Sequence, residues 1–411
     1  MSFENSVNYL LSLGNEVSAM KLGLENIRKL LAALNDPQNN FLKVQVAGTN
    51  GKGSTCVFLD SICREAGINT GLYTSPHLIS ITERIKINGV AISESDFARH
   101  AAEVRKIAEG EFDVPPTFFE QVTAIALRAF AEAKIELAIL ETGLGGRLDA
   151  TTAADAEIAA ITPIDFDHQQ YLGETLAEIA AEKAAIIHKG SKVVVAPQKP
   201  EAQKVIMERC EEFGIHPIFS ASELPAGISL KMTGRHQRVN AALAISVAKL
   251  LQQSDPRITG EAIFAGLEKA AHHGRMEYVD GVLLDGAHNL AGAGALAAYL
   301  DEFITRPITL IFGAMNDKNI SGIAQILFPR AKILILTAAN NSRSALHGDL
   351  LKLVPESFPK HNVFTAQNVI EAFDTAKKIT YKDNTICVTG SLYLVGEALK
   401  LLQDRIEQKY D

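Results

Sequence analysis

Apolar residues recur along this chain with two periods, and stretches of the two kinds alternate. Leu42, Val44 and Val46 are separated by Lys43 and Gln45, a period of two that predicts a strand. Leu24, Ile27, Leu30, Leu31 and Leu34 recur at steps of three and four, which predicts a helix over 24–34 ending at Asp36-Pro37. Similar spacing covers 5–12. The runs Leu137–Leu140 and Ile158–Ile164 are almost wholly apolar, as expected of parallel strands buried on both faces. Thr70–Tyr73 reads as a short strand, and Ile81–Ile87 with the Asn88-Gly89 turn as a small hairpin-like excursion. Helices are predicted from near Ser93, from Phe118 to Ala133, and along Leu176, Ile179, Ala180, Ile186 and Ile187. Strand 192–196, helix 200–213, strand 216–219 and a long Ala/Leu helix to Gln252 follow. After a strand at Val282–Leu284 the alternation resumes through 307–312, 319–327, 332–337, 345–353, 367–378, 384–389 and 391–407.

The strand at 42–46 runs directly into Ala47-Gly48-Thr49-Asn50-Gly51-Lys52-Gly53-Ser54-Thr55, and helical spacing begins again at Cys56. A strand, a glycine-rich turn and a helix N-terminus form an anion site, because free N–H groups and the helix dipole face the same point. Lys52 adds the cation that reaches outer phosphates, so the stretch reads as a nucleotide phosphate loop. It departs from the common pattern twice. The first glycine is Gly48 rather than position 46, and Gly53 stands where a magnesium-binding Ser or Thr usually follows the lysine. The hydroxyl then comes from Ser54 or from another loop.

At 411 residues the chain exceeds one core, so two domains are expected, with the boundary near 271–276. The fold class is α/β: a P-loop doubly wound ATPase domain over 1–272, then a smaller Rossmann-like α/β domain over 273–411. The second has no phosphate loop of its own and is expected to close over the first.

Polar clusters end several of the strands, where α/β proteins place chemistry. Thr74-Ser75-Pro76-His77 follows one. Glu141 terminates another and leads into Thr142-Gly143-Leu144-Gly145-Gly146-Arg147-Leu148-Asp149. A carboxylate there matches the magnesium-holding acid of nucleotide hydrolases. Asp165-Phe166-Asp167-His168 ends a third strand, and Lys183 is an odd charge among Ala and Ile on the next helix. Gly234-Arg235-His236-Gln237-Arg238-Val239-Asn240 opens a helix with cations and an amide suited to phosphate or adenine. Asp285-Gly286-Ala287-His288-Asn289 closes the strand after Arg275. His272 and His273 lack a third partner at metal-ligand spacing.

Composition narrows the class. Net charge −8 without a basic block argues against nucleic acid. The four cysteines show no metal spacing and suit a reduced, cytoplasmic setting. No apolar run reaches membrane-spanning length, and the first residues lack a basic leader, so no membrane partner is expected.

The ordered motifs resemble one family. A-G-T-N-G-K-G-S-T, T-S-P-H with E-R-I, E-T-G-L-G-G-R-L-D-A-T, D-H-Q, G-R-H-Q-R-V-N-A, G-R-M-E, D-G-A-H-N and T-G-S-L-Y-L-V-G-E are similar to those of folylpolyglutamate synthase/dihydrofolate synthase, a Mur-type ATP-dependent amide ligase. The likeness runs from about residue 22 to 398. It implies that Gly48, Thr49, Asn50, Gly51, Lys52, Gly53, Ser54 and Thr55 bind ATP, with Asn240, Arg275, Asp285 and His288. It also implies that Ser75, Glu141 and His168 hold magnesium, with two ions expected, and that Lys183 is carbamylated. Lys52, Glu141, His168 and Lys183 become the catalytic set, and Phe119, Arg147 and Asp149 the pterin segment. The implied substrates are dihydropteroate or folate, L-glutamate and ATP, acted on by a monomer. A monofunctional folylpolyglutamate synthase, a peptidoglycan-type Mur ligase and an ATP-gated regulatory protein are the alternatives. Carboxylate activation by ATP needs no side-chain nucleophile, and none is evident.

Overall fold

The structure is a computed structural model describing residues 1–14, 23–224, 227–380 and 384–410. It divides into two compact units. The first holds Met1–Asp165, Gln169–Lys231 and Arg238–Ala271; the second holds Phe166–His168, Met232–Gln237 and His272–Asp411.

The first unit is built on eight strands: β1 Leu42–Ala47, β2 Thr70–Tyr73, β3 Ile85–Ile87, β4 Val90–Ala91, β5 Leu137–Glu141, β6 Ile158–Ile161, β7 Lys192–Val195 and β8 Ile218–Phe219. Their order is β4-β3-β2-β5-β1-β6-β7-β8, parallel except that β3 pairs antiparallel with both β2 and β4. Helices Glu25–Ala33, Glu94–Glu111 and Phe118–Glu132 bury Leu30, Val104 and Ile125 with Ala138 and Leu140. Ile179 and Ile206, from helices Leu176–Ala184 and Pro200–Glu212, join a second cluster with Ala159, Ile161, Val193 and Val195. Apolar layers on both faces explain the unbroken hydrophobic runs.

β6 is shorter than the predicted 158–164. Thr162 still bonds Ala47 O, but Pro163 has no N–H to continue the ladder. The excursion after β2 opens as a 3₁₀ turn at Ile81–Arg84, capped reciprocally by Ser80 and Glu83, before β3 pairs with β4.

The second unit carries β9 Glu277–Val279, β10 Val282–Asp285, β11 Ile308–Phe312, β12 Ile333–Leu336, β13 Val363–Thr365 and β14 Thr385–Thr389. The order is β13-β12-β11-β14-β10-β9, parallel but for β9. Leu296, Leu300, Ile323 and Leu327 pack with Leu283, Leu310 and Leu334 in its core. The hairpin strand β9 is short and half polar, and its turn is Asp280-Gly281 with both φ positive.

Candidate active site

In the first unit β1 delivers the chain to the phosphate loop, between β5 and β6. Gly48 has φ +143° and packs so closely on Thr162 that a Cβ would stand 1.8 Å from its Oγ1. Gly51 has φ +89°, with a Cβ position 2.1 Å from Asn240 Oδ1. Both positions therefore demand glycine. The Thr49 hydroxyl donates to Asp165 O at 2.9 Å and accepts from Asp165 N at 2.9 Å, which ties the loop to the segment after β6. Helix Lys52–Glu65 starts at once, with Gly53, Ser54 and Thr55 in its buried first turn.

Two ammonium groups meet at one carbonyl. Lys52 Nζ donates to Gly48 O at 3.3 Å and to Thr49 O at 3.2 Å, while buried Lys183 Nζ donates to Gly48 O at 2.9 Å. Lys183 is 4% exposed, so its side-chain nitrogen is held inside the unit, against the loop, and not snorkelling to solvent. The Lys52 cation beside helix-terminal amides suits a polyphosphate.

Register brings the acid to the same place. Glu141 pairs with Val46 across β5 and β1, two residues before Gly48. Ser75, just beyond β2, donates its N–H to Glu141 Oε2 at 3.0 Å. The ends of three neighbouring strands thus bring together Ser75, Glu141 and the loop. A hydroxyl and a carboxylate are hard oxygen donors, as magnesium requires. Among the described residues no group of three or more His, Cys, Asp or Glu could hold a metal by itself.

The glycine-rich loop after β5 is shaped by close contacts. A Cβ on Gly143 would stand 2.6 Å from the Phe119 ring, and one on Gly146 would stand 2.7 Å from Glu182 O. The capping box of Thr117 and Glu120 starts the helix that presents Phe119, whose ring lies 6.0 Å from that of Tyr73. Arg147 pairs at the surface with Glu182, at 2.8 Å. Asp149, placed in the pterin segment by resemblance, turns its carboxylate into its own loop. It is 6% exposed and caps the 3₁₀ turn Ala150–Ala154. Its carboxylate accepts from the amides of Leu144 and Thr151 and from the Thr151 hydroxyl. Those three donors take up most of the roughly four acceptor sites of a carboxylate. Burial raises its pKa against the pull of these bonds.

In the second unit the residue that gathers the others is Asp167. It lies 2.8 Å from Lys318 Nζ, accepts from Asn289 Nδ2 at 2.9 Å, and accepts from the His168 amide at 2.9 Å. Burial alone would raise its carboxyl, but His168, His288 and Lys318 hold it well below the usual range. Lys318 Nζ also lies 3.1 Å from His168 Nε2, and His168 has φ +50°, an uncommon setting for a side-chain-bearing residue. His168 thus groups with Asp167 and Lys318 in this unit, whereas Ser75 and Glu141 belong to the first.

Asp285 accepts from the amides of Met276 and Ala287, and burial pushes it up to about 6 against Arg275. His288 bonds Gly286 O at 2.8 Å; burial pushes its imidazole down to about 4 against the pull of Asp167. Arg275 reaches Gly286 O at 3.4 Å. Lys318 escaped the sequence reading. Asn316-Asp317-Lys318-Asn319 is nonetheless a polar cluster after a buried strand, the signal that singled out Ser75 and Glu141.

Known proteins resemble this chain over both units. Residues 46–223 match the Mur ligase middle domain, and residues 274–392 match the Mur ligase, glutamate ligase domain. The chain is 35% identical to the dihydrofolate synthase/folylpolyglutamate synthase of Bacillus subtilis, over 93% of its own length and 96% of that protein. It is 36% identical to a probable bifunctional folylpolyglutamate synthase/dihydropteroate synthase of Haloferax volcanii, covering 97% of itself but spanning only half that relative. Among solved structures it superposes on Escherichia coli FolC in complex with DHPP and ADP, with TM-score 0.88, 28% identity and 98% of each chain covered. The Yersinia pestis bifunctional folylpolyglutamate synthase/dihydrofolate synthase complexed with AMPPNP and Mn gives TM-score 0.86, 29% identity and the same coverage.

Proposed function

This chain belongs to the dihydrofolate synthase/folylpolyglutamate synthase family of Mur-type ATP-dependent ligases, and from that premise we propose that it joins L-glutamate to dihydropteroate and extends folates through an acyl phosphate. The observation that carries the reading is the convergence of Lys52 and Lys183 on Gly48 O, with Glu141 and Ser75 at the adjacent strand ends.

A carboxylate resists amines because its oxygen leaves poorly. Transfer of the γ-phosphoryl group of ATP to that oxygen releases ADP and forms an acyl phosphate. The glutamate amine then attacks the carbonyl carbon, loses a proton, and expels phosphate to leave the amide. Charge neutralisation and positioning dominate such steps. The loop amides and Lys52 hold the polyphosphate, and Asn240 buttresses Gly51 so that the turn keeps its shape. Magnesium, when bound, screens the charge of the transferring phosphoryl group; Ser75 and Glu141 supply ligands for it, and His168 is assigned with them by family likeness. Arg275, Asp285 and His288 are assigned to the nucleotide on the same ground. The Phe119 ring and the backbone of the 143–149 loop offer a face and an edge to a pteridine. Arg147 flanks that loop, and Asp149 holds its shape from beneath.

Lys183 is assigned as a carbamate in the working enzyme, its amine having combined with carbon dioxide and lost a proton. Protein in ¹³C-bicarbonate should show a carbamate carbon resonance that Lys183→Ala lacks; its absence with magnesium and nucleotide present overturns the assignment. We further assign a cytoplasmic monomer.

The deciding experiment is an ADP-release assay with dihydropteroate or tetrahydrofolate, each with glutamate. Turnover of both is expected. Turnover of tetrahydrofolate alone makes this a monofunctional folylpolyglutamate synthase, and turnover of neither overturns the reading.

A further inference from the structure

Beneath the 142–152 loop lies a glutamine that carries the loop's shape. Gln45 stands within β1, three residues before Gly48, and is 1% exposed. Its amide nitrogen donates to Thr142 Oγ1 at 3.1 Å, to Thr151 Oγ1 at 2.9 Å and to Thr152 Oγ1 at 2.8 Å. An amide nitrogen has two hydrogens, so the three hydroxyls share them.

The hydrogen bonds run in one direction from there. Thr151 Oγ1 donates to Asp149 Oδ1 at 2.5 Å, and Thr152 Oγ1 donates to Gly146 O at 2.7 Å. Asp149 in turn accepts from the Leu144 amide at 2.9 Å. The chain starts at a group that can only donate at that atom and ends on acceptors in the loop. It links the strand that feeds the phosphate loop to the backbone from Gly143 to Gly146, where Phe119 lies against Gly143.

A buried amide nitrogen needs an acceptor for each of its two hydrogens in any protein, and two bonds would satisfy that need. Three threonines converging on one nitrogen, two of them passing a bond onward into the same loop, exceed it. Directional networks in a low-dielectric interior are also worth more than their separate bonds.

We propose that Gln45 is a positioning residue for the acceptor substrate: it sets the hydrogen-bond direction through Thr151 and Thr152, and so holds the 143–149 backbone and Asp149 in the shape that receives the pteridine. This rests on the reading that the loop faces that ring system. Gln45→Leu removes the donor. Gln45→Glu replaces it with an acceptor, so that Thr151 can no longer serve both carboxylates. Gln45→His keeps one donor. Thr152→Val cuts only the branch to Gly146.

Two measurements test the role. Amide hydrogen exchange across residues 143–149 should rise at least tenfold in Gln45→Leu, with exchange over 48–55 unchanged. In the ADP-release assay, Gln45→Leu and Gln45→Glu should raise KM for dihydropteroate at least tenfold and KM for ATP less than threefold. Gln45→His should recover part of the loss, and Thr152→Val should show a weaker version of it. Unchanged loop exchange, or parallel changes in both KM values and kcat, overturns the proposal. If Gln45→Leu fails to fold, Thr152→Val and Gln45→His decide by the same criteria. Exchange reads the positioning role even if wild-type turnover of dihydropteroate, the separate test of the functional reading, is absent.

Discussion

Removal of Lys318 should destabilise the second unit by about 3 kcal/mol, at the lower end of the range for breaking a buried ion pair. Lys318 Nζ and Asp167 Oδ1 are 2.8 Å apart, with side chains 9% and 10% exposed, so little water is available to replace the lost partner. The lower end applies because Asn289 Nδ2 and the His168 amide continue to donate to Asp167. Lys318→Met keeps the stem and removes the charge, which separates the ion pair from packing. Asp167→Ala should cost a similar amount, because the ammonium would keep only His168 Nε2 among these contacts. In the double variant no unpaired charge remains, so it should be less damaged than the sum of the singles, with a coupling of about 2 kcal/mol. Native-state amide exchange in Val282–Asp285 and Ile308–Phe312 during a urea series reads the second unit separately, where a single global transition would not. The pair also has a pH signature. Asp167 is depressed in the fold, so its contribution is present above the unfolded value of about 3.9 and fades as pH falls through the folded one. Lys318→Met should move that loss to higher pH. A Lys318→Met variant within about 0.5 kcal/mol of wild type, with no coupling to Asp167, would show the pair to be solvated and the reasoning wrong.

Lys52→Ala should lower ligation on the order of a hundredfold or more while circular dichroism stays native, since its contacts are loop carbonyls rather than core; full activity would remove the phosphate-loop assignment. Gly48→Ala should weaken nucleotide binding by at least an order of magnitude, because the new methyl overlaps Thr162 and φ +143° is strained for alanine. Equilibrium binding of a fluorescent ATP analogue at wild-type affinity would contradict it. Burial pushes His77, His236 and His288 down to about 3, 4 and 4. Their contributions are present above about 6.5 and are lost as pH falls toward those values. Asp285, raised to about 6, runs the other way, with stability lost as pH rises through 6. Three against one predicts a lower urea midpoint at pH 5 than at pH 7, and a higher one would refute the balance.

The strand–turn–lysine–helix of the phosphate loop was legible because it is local. Period, glycine placement and the helix start all lie within about twenty consecutive residues, and Gly48 and Gly51 take positive φ at that turn. The buried parallel strands were legible for a related reason, since a strand covered on both faces must be apolar along its whole length. The same patterning could not show that Glu141 lies beside Val46, because that depends on which strands become neighbours. Nor could it show that Asp149 points its carboxylate into its own loop, where a capping carboxylate and a ligand-binding one are the same residue type. Gln45 and Lys318 make the point most sharply. A lone polar residue in a strand and a lysine in a polar turn carry no local signal of their partners. Those partners are 97 and 151 positions away for Thr142 and Asp167. Short-range order is written in successive side chains, whereas the pairing of distant donors and acceptors exists only once packing has excluded the water that would otherwise satisfy them.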